Sequence, residues 1–589
     1  MITLRRIFFS ISIAAVAAAL FSLMYFTLSA GGIAAIDVVI LVSFVLVLPW
    51  LSIGFCNAVI GFTISVFARD PLAIVNPDAA KAPQDAPITT STALLLCIRN
   101  EMPARLVRNL EAMMRGLVQS NESQQFHVYV ISDTTDQQIV EQEQVAFEQL
   151  ADTLHEQVAL TYRRRDLNTG YKAGNIKDFC NRWGAQHDFA LVLDADSFMS
   201  AAAMLRLVRI MQASPKMGIL QGLVVGLPST SAFTRMYQFG MRLGMRSFTM
   251  GSAWWQADCG PYWGHNALIR IAPFMQHCEM PVFKDRHGQE KHILSHDQLE
   301  AVLMRRAGYD VRVYPFEDGS WEENPPTLNE YLGRDLRWCK GNMQYVRLLT
   351  LPGIQTTSRM QLIFAVLMFA GSPAWVVMLI AFSALIGTTY NVHNVIDVGP
   401  GLVLFISVIL VYFSPKLISA FEVLIRASSR RSFGGFFRFT IALIIEMIFS
   451  ITLISIMWVS QTALLLGLMF SQNNSWSGQA RDDHVVLIRQ AIQRFSLHLF
   501  VGVLLFWPLA HLHPEAIPFA LVFAGGLLVA IPFSIITSWP SVGLLFKRMR
   551  LFGVPEEFNT PPELKELGLP ALSKQVTRTT AVNSLSSRS

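Results

Sequence analysis

Long apolar runs alternate with polar stretches along the chain, and the longest runs lie towards its two ends. Residues 7–28 and 35–60 are each long enough to cross a bilayer as a helix. Arg5 and Arg6 precede the first run and Arg69 follows the second, so the hairpin is predicted to have both ends in the cytoplasm. A signal peptide is the alternative for the first run. The run is longer than an ordinary signal sequence, however, and no convincing small-residue cleavage site follows it.

A second group of apolar runs begins near residue 361. Clear spans are predicted at 361–388, 401–425, about 497–513 and about 516–538. The run 439–470 is too long for one untilted helix, and the basic loops on both sides of it indicate the cytoplasmic side. It is therefore predicted to form a tight hairpin or to lie in the membrane interface, and Glu446 in its middle favours an interfacial or bundle-facing helix. We count six clear spans and a maximum of eight.

The polar region between the two groups contains short apolar runs that alternate with helical patterns. Strands are predicted at 92–98, 127–132, 158–162, 189–193 and 218–225, and helices at 103–117, 137–153 and 201–213. This alternation is typical of a mostly parallel sheet with helices on both faces. The predicted organisation is a transmembrane hairpin at 1–69, a linker at 70–87, a soluble α/β domain at 88–350, a membrane bundle at 351–550 with a polar loop at 471–495, and a disordered tail at 551–589.

Composition supports a membrane protein. Hydrophobic residues make up 52% of the chain and charged residues 15%, below the roughly 25% of soluble domains. The net charge of +5 is carried largely beside the apolar runs, as expected for cytoplasmic loops, so it does not indicate a nucleic-acid partner.

Two carboxylates, Asp194 and Asp196, follow the buried run Phe189-Ala-Leu-Val-Leu193. The carboxyl ends of strands are where open α/β sheets bind ligands. Two neighbouring carboxylates repel each other unless they share a cation or a proton. The pair therefore indicates a Mg²⁺ site, with Mn²⁺ as the alternative ion, that holds a diphosphate. An acidic turn that caps the next helix is the alternative interpretation.

Polar residues also follow the other predicted strands. Arg99 and Glu101 follow the first, Asp133 follows the second, and Lys172 follows the third. One such residue would be an ordinary helix cap. Because the strand ends converge on one edge of the sheet, the mixture of acids and bases predicts a site for a nucleotide diphosphate.

Three further segments carry candidate chemistry. Asp297 is either the N-cap of a helix or a general base that takes a proton from a hydroxyl group. Residues 334–338 place Arg334, Arg337 and Trp338 on one helical face, where an aromatic platform can hold a sugar and arginine can neutralise phosphate. The alternative for this helix is a basic amphipathic surface on anionic lipid headgroups. Residues 263–266 form a polar and aromatic cluster in which a lone His265 is more often structural than catalytic.

Together these residues resemble the processive membrane glycosyltransferases of family two, which include cellulose, hyaluronan and chitin synthases. The family's acidic stations match Asp133, the Asp194-Ala-Asp196 segment and Asp297, and its last motif matches Arg337-Trp338. Arg334 stands where that motif has glutamine. This departure, and the Ser-His that precedes Asp297, resemble the glucans biosynthesis glucosyltransferase H branch. Further similar stretches in this branch are Gly174-Asn-Ile176, Tyr262-Trp-Gly-His-Asn266 and Arg481-Asp-Asp483, and the similarity runs from about residue 90 to 540.

The resemblance implies a cytoplasmic GT-A-like domain inserted between the hairpin and the bundle of a bacterial inner-membrane protein. It implies that UDP-glucose and Mg²⁺ or Mn²⁺ are used to build the β-linked, expected β-1,2, backbone of osmoregulated periplasmic glucans, coupled to export. The implied partners are the growing glucan, the lipid bilayer, acyl carrier protein and periplasmic glucan-modifying proteins. The alternatives are a synthase of cellulose or of an amino-sugar polymer, and a nucleotide-binding transporter.

The resemblance also assigns roles to individual residues. The implied catalytic base is Asp297, and the implied metal ligands are Asp196 and Asp194. The expected nucleotide-binding residues are Arg99, Glu101, Asp133, Lys172, Asp194 and Arg337. The expected acceptor-binding residues are Trp338, Arg334, Trp263, His265 and Asn266. By analogy with related synthases, the loop that carries Trp476, Arg481, Asp482 and Asp483 is expected to close over the nucleotide site.

Overall fold

The computed structural model describes residues 1–154, 157–284, 288–469 and 481–568. The N-terminal hairpin consists of α1 (Ile2–Leu28) and α2 (Ala35–Phe67). Two short helices follow in the predicted linker, α3 (Pro71–Val75) and α4 (Pro77–Lys81). Each begins with proline at its first position and with Asp70 or Asn76 as a side-chain cap, which are strong helix-start signals.

The strands of the central domain, in chain order, are β1 (Thr92–Ile98), β2 (Phe126–Ser132), β3 (Ala159–Arg164), β4 (Phe189–Asp194), β5 (Ser197–Met199), β6 (Met217–Gly222), β7 (Val225–Gly226), β8 (Ala267–Arg270), β9 (Phe283–Lys284), β10 (Glu290–Lys291), β11 (Asp310–Tyr314) and β12 (Ser320–Glu322). Seven of them form the main sheet in the order β11-β6-β8-β4-β1-β2-β3. All its neighbouring pairs are parallel except those of β8, which is antiparallel to β4 and β6. The sheet is therefore mixed, as in a GT-A-like domain.

The helices of this domain are α5 (Pro103–Gln119), α6 (Gln137–Leu154), α7 (Tyr171–Trp183), α8 (Ala201–Ala213), α9 (Ala232–Gln256), α10 (Ile271–His277), α11 (Asp297–Arg306) and α12 (Leu328–Met343). Two buried apolar clusters cover the two faces of the sheet, because alternate residues of β1, such as Leu94 and Leu95, point to opposite sides. The predicted strand 218–225 is divided in the structure. β6 stays in the main sheet, whereas β7 joins a small second sheet with β5 and β12.

The helices after the domain are α13 (Thr356–Gly387), α14 (Val398–Ile425), α15 (Ala427–Ser432), α16 (Phe436–Met469), α17 (Ile488–Leu512), α18 (Ile517–Thr537), α19 (Pro540–Met549), α20 (Pro555–Phe558) and α21 (Pro562–Glu566). Within the described residues, 7 helices are long and apolar enough to cross a membrane: α1, α2, α13, α14, α16, α17 and α18. The GT-A-like domain is therefore flanked on both sides by candidate membrane helices.

The described part of the apolar run predicted at 439–470, residues 439–469, lies in the single continuous helix α16, so the hairpin alternative is wrong. Near its start, Phe439 packs on Phe239 of α9, with ring centroids 5.7 Å apart. About 33 Å further along, the Gln461 side chain donates a 2.7 Å hydrogen bond to Asp335 of α12. Because both α9 and α12 belong to the central domain, α16 runs along that domain instead of leading away from it. These contacts favour the interfacial alternative.

The segment 551–568, which we call the strap, is ordered, so the prediction of disorder is wrong for these residues. Arg235 of α9 makes paired hydrogen bonds to Glu557, and Arg242 makes them to Glu556. Leu564 and Leu567 join the core of the domain. Polar composition suggested a tail that cannot bury apolar surface, but these carboxylates are neutralised by arginines that lie far away in sequence. Residues 569–589 lie outside the described residues.

Candidate functional site

The carboxyl ends of β1, β2 and β4 lie side by side at one edge of the sheet. Cys97 of β1 is the register partner of Asp194, and Ile98 is the partner of Ser132, which precedes Asp133. Burial raises the pKa of the Cys97 thiol to about 12, an effect to which the charges of Asp194 and Asp133 also contribute. The structure therefore brings the predicted site residues Asp133 and Asp194, which belong to the ends of different strands, to the same edge of the sheet.

Asp133 is buried and is held by a cation that was not among the predicted site residues. The guanidinium of Arg165, just after β3, donates two hydrogen bonds of 2.7 Å to the two oxygens of Asp133. With its side-chain amide turned over, Asn168 joins the same cluster, donating to Asp133 at 2.9 Å and accepting from Arg99 at 3.2 Å. The run Arg163-Arg164-Arg165 at the end of β3 was visible in the sequence, but only the fold shows which of them faces Asp133.

Asp194 is paired with Lys172. The Lys172 ammonium donates to Asp194 Oδ1 and, at 2.6 Å, to the carbonyl oxygen of Gly264. Burial alone would lower the pKa of Lys172, but the neighbouring Asp194 carboxylate raises it above its ordinary value. Burial would conversely raise the pKa of Asp194, and Lys172, His265 and Arg481 together bring it below its ordinary value. Both groups are therefore charged at neutral pH.

Asp196 is paired with Arg481, which comes from the polar loop between α16 and α17. The Arg481 guanidinium also donates two hydrogen bonds of 3.0 Å to the carboxylate of Glu101. Asp482 pairs with Arg105, and Asp483 accepts a hydrogen bond from Thr230. The start of the described segment 481–487 is thus held over the sheet edge by three successive residues. Trp476, which was predicted to belong to the same loop, lies outside the described residues.

Asp297 is the first residue of α11, and the side chain of His296 before it makes no capping hydrogen bond. The simple N-cap interpretation of Asp297 is therefore not what the structure shows. A Cβ atom on Gly264 would lie 3.3 Å from the Cβ of Asp297. The carbonyl oxygen of the same glycine accepts the hydrogen bond from Lys172. Gly264 therefore lies between Asp297 and the Asp194–Lys172 pair.

The helix α12 presents the predicted acceptor residues beside this cluster. The Arg334 guanidinium carbon lies 4.9 Å from the ring centroid of Trp338, and the Trp338 side chain is 48% exposed. Burial would lower the pKa of Arg334, but Tyr237, Glu322 and Asp196 raise it above its ordinary value. Burial, together with Arg334 and Arg481, lowers the pKa of Arg337. Arg334 and Arg337 therefore lie within electrostatic reach of the acidic edge.

The cluster 263–266 is divided between the site and the core. The His265 imidazole lies 3.6 Å from the carboxylate of Glu322 and is part of the acidic edge. Trp263 is partly buried, and its backbone N–H donates to Gln221. Asn266 is fully buried, and its amide donates to Ser320 and to the backbone of Trp321. Its side chain links the main sheet to β12, and a contact with the acceptor stays a prediction.

Two acids at the site were missed by the sequence reasoning. Glu322 ends the three-residue strand β12 and lies beside His265. Glu323 follows the strand and accepts a 3.0 Å hydrogen bond from Arg105. Burial raises the pKa of both carboxyl groups. A strand of three residues has too little periodicity to be recognised, although the adjacent acids were a visible signal.

The residues at this edge fit a magnesium or manganese ion that is held partly by substrate phosphates. They fit less well a metal ion that is held by protein side chains alone. Among the described residues, no three His, Cys, Asp or Glu side chains are grouped closely enough to hold a metal by themselves. Mg²⁺ is usually held by one or two carboxylates together with substrate phosphates, and Asp196 and Asp194 can supply those carboxylates. Lys172 and Arg481 now bond one oxygen of each carboxylate, so a bound ion would compete with these two cations.

Two family models match this chain. The family model described as glycosyl transferase family 2 matches residues 94–278, and the one described as glycosyl transferase family group 2 matches residues 189–420. Among solved structures, a mannosyltransferase from Pyrobaculum calidifontis in complex with GDP-Man and Mn²⁺ has a TM-score of 0.39 and 16% identity. That match covers 64% of this chain and 98% of the other.

Curated relatives cover almost the whole chain. A glucans biosynthesis glucosyltransferase H of Vibrio cholerae is 32% identical over 554 residues, which are 90% of this chain and 74% of the relative. The protein of the same description from Pseudomonas aeruginosa PAO1 is 33% identical over 89% of this chain. This chain spans only 62% of the length of that Pseudomonas relative. The chain belongs to the glucans biosynthesis glucosyltransferase H family.

Proposed function

We propose that this protein is an inverting glucosyltransferase that transfers glucose from UDP-glucose to a growing β-linked glucan. The observation that carries the proposal is the meeting of Asp133, the Asp194–Asp196 pair and Asp297 at one sheet edge, beside the helix of Trp338. These are the acidic stations expected of a processive family-two transferase. The family of the relatives supports the same activity.

On the donor side, Asp133 and Arg99 contact the uridine, and Lys172 and Arg337 turn towards the diphosphate. Glu101 releases Arg481 when the nucleotide enters. A divalent ion on Asp196 and Asp194 would offset the negative charge that develops on the departing UDP. Lys172 adds a donor that is already beside Asp194 in the absence of ligand, so little rearrangement is needed.

On the acceptor side, Trp338 supports the terminal sugar, and Arg334 and His265 orient it. Trp263 borders this path. Asp297 removes the proton from the acceptor hydroxyl. The freed oxygen attacks the anomeric carbon, the bond from that carbon to the diphosphate oxygen breaks, and UDP leaves with the electron pair. Attack from the face opposite UDP converts the α-linked donor into a β-linked product.

We further propose that the domain faces the cytoplasm of a bacterial inner membrane. If α16 lies along the domain, the other six candidate spans return the chain to the side on which it started, in agreement with the basic residues near 426–438 and 547–550. The product would be the backbone of osmoregulated periplasmic glucans, with export by the bundle. Acyl carrier protein and periplasmic glucan-modifying proteins remain proposed partners, and the β-1,2 linkage a proposed product feature.

The test is sugar transfer by membranes that contain the full chain. We expect label from UDP-glucose, but not from UDP-N-acetylglucosamine, to enter a polymer in the presence of Mg²⁺ or Mn²⁺. A chelator should stop incorporation, and the metal should restore it. Linkage analysis of the product then separates a β-1,2 glucan from a cellulose-like one. Amino-sugar incorporation would favour the other synthases, and nucleotide binding without any transfer would favour a transporter.

A further inference from the structure

A cavity of about 360 Å³ lies where α2, α14 and α16 meet α9 and α12 of the domain. Its volume falls within the range of about 300–1,000 Å³ that is usual for ligand pockets. Aromatic and aliphatic side chains make up most of the wall. The charged side chains in the wall are Lys416 and Glu446, with Ser450 beside them.

These polar side chains are not fully satisfied. The Lys416 ammonium donates to Glu446 Oε1 and to Ser450 Oγ, and Ser450 Oγ also donates to Glu446 Oε1 at 2.6 Å. Only 1% of Glu446 is exposed, yet its second oxygen, Oε2, has no hydrogen-bond partner among the described residues. An ammonium group has three donors, so one N–H of Lys416 remains for a ligand. A buried carboxylate oxygen without a donor is costly, which indicates that something supplies one.

The backbone of α9 leaves room for this pair. A Cβ atom on Gly240 would lie 1.8 Å from Glu446 Oε1, and one on Gly244 would contact the Lys416 side chain at 3.7 Å. Two glycines four residues apart therefore form a shallow groove on α9. Lys416 and Glu446 lie in this groove, so both charges are held at the inner end of the cavity.

Trp50 of α2 lines the cavity and belongs to an exposed apolar helix face. Val42, Leu46 and Trp50, spaced by four on α2, are 57%, 48% and 37% exposed, and Trp50 lines the cavity. Two turns further on, Asn57 accepts a 3.0 Å hydrogen bond from Trp255 of α9, so the domain begins there. Tryptophan at such a boundary is typical of the headgroup level of a bilayer. A face of this kind opens to lipid, and the cavity wall also includes Tyr237, whose hydroxyl accepts a 3.5 Å hydrogen bond from Arg334.

We propose that this cavity binds the headgroup of a zwitterionic phospholipid that carries a primary amine. The lipid ammonium donates to Glu446 Oε2, and the lipid phosphate accepts from the remaining N–H of Lys416. The amine and the phosphate of one headgroup thus match the free acceptor and the free donor of one ion pair. The acyl chains leave past Trp50 into the bilayer.

The test uses the full chain in detergent after lipid depletion, with native mass spectrometry to count retained lipids. We expect dioleoyl phosphatidylethanolamine to be retained about tenfold more tightly than dioleoyl phosphatidylcholine, because a trimethylated amine cannot donate a hydrogen bond to Glu446. Glu446→Gln should abolish this preference. Trp50→Ala, at the partly exposed mouth, should weaken retention of phosphatidylethanolamine without a change in the fold.

Glu422→Gln is the matched control, because Glu422 is equally buried on α14 but pairs with Arg426 and does not line the cavity. This variant should keep the preference. Equal retention of the two lipids by the unmodified chain would overturn the proposal, as would a preference that survives in Glu446→Gln. Binding of a labelled oligo-β-glucan that is lost in Glu446→Gln, without any change in lipid retention, would also overturn it and assign the cavity to carbohydrate.

Discussion

One cluster of carboxylates and basic groups lies at the sheet edge, and a second lies at the strap. Both consist of ion pairs, but the side chains at the strap are more deeply buried. At the sheet edge, Asp194 and Asp196 keep 36% and 16% of their side chains exposed, and their cations come from other segments. At the strap, the side chains of Arg235 and Glu557 are both fully buried and joined by two hydrogen bonds. The first cluster borders solvent and the second does not.

This difference separates exchangeable pairs from permanent ones. A partly exposed ion pair gains little net energy, because water and salt compete with it, so a metal or a diphosphate can replace one partner. A fully buried pair has already lost its hydration, and removal of one partner leaves the other charge uncompensated. We therefore expect substitutions at the sheet edge to change ligand binding and catalysis, and substitutions at the strap to change stability.

The largest expected effect is on catalysis at the sheet edge. Asp297→Asn should lower the rate of glucan synthesis by about 10²–10⁴-fold, because the acceptor hydroxyl loses its general base. UDP binding, measured by titration of purified protein, should stay within about twofold, since Asp297 is not assigned to the nucleotide. Asp85→Asn, which removes an exposed carboxylate of the linker, is the control. Normal polymerisation by Asp297→Asn would end the assignment of the base.

The next effect is on stability at the strap. Glu557→Gln leaves the buried Arg235 without a counter-charge, so the free energy of unfolding should fall by about 3–5 kcal/mol. Chemical unfolding of the detergent-solubilised chain measures it. Glu566→Gln, an exposed position on α21, should have little effect. If the two variants are equally stable, the strap pair is not the permanent contact that its burial suggests.

The sequence predicts the sheet-edge cluster much better than the strap. The predicted strand 92–98 and helix 201–213 have the bounds of β1 and α8, because each has a strong local pattern. The acids that follow the strands needed only the rule that strand ends converge. Arg235 and Glu557, by contrast, are 322 residues apart, and their polarity suggested exposure. Such a contact leaves no periodic trace in the sequence.

Contacts between distant segments also explain why some residues of the site were not predicted. Arg165 was one of three consecutive arginines, and only the path of the chain after β3 selects it as the partner of Asp133. The strand β12, which carries Glu322, has three residues and pairs with distant segments. The hairpin alternative for 439–470 arose because only its length and the basic loops on both sides limited the choice, whereas contacts with α9 and α12 keep α16 beside the domain.

Asp335 is intermediate between the two clusters, because it is a buried carboxylate whose hydrogen-bond partner is neutral. Asp335 on α12 accepts a hydrogen bond from Gln461, and burial raises its pKa from 3.8 to about 6. The folded state therefore holds this proton more tightly than the unfolded chain. The resulting stabilisation is present below about pH 4 and is lost as the pH rises through about 6.

Asp335→Asn should remove this pH dependence. Relative to the unmodified chain, the variant should gain stability between pH 4.5 and 7.5, by at most on the order of 3 kcal/mol. Unfolding midpoints measured across this pH range, with Asp85→Asn as the control, provide the comparison. A constant difference between Asp335→Asn and the unmodified chain would show that the carboxyl group does not titrate in this interval.

The smallest expected effect tests whether the sheet-edge pairs are exchangeable. Arg481 now bonds one oxygen of Asp196 and both oxygens of Glu101, so a divalent ion on Asp196 competes with it. Since a charge-assisted hydrogen bond is worth about 1.5–3 kcal/mol, Arg481→Gln should tighten Mn²⁺ binding about tenfold in the absence of nucleotide. Electron paramagnetic resonance of free Mn²⁺ measures this directly.

Arg489→Gln removes an equal charge from an exposed position a few residues further along, and it controls for the general field of the loop. If both variants tighten Mn²⁺ binding equally, the effect is a long-range one and Arg481 is not a specific competitor. If Arg481→Gln weakens binding, the guanidinium supports the ion instead of replacing it. The sheet edge would then resemble the strap, with a fixed pair, and the contrast between the two clusters would reduce to a difference in exposure alone.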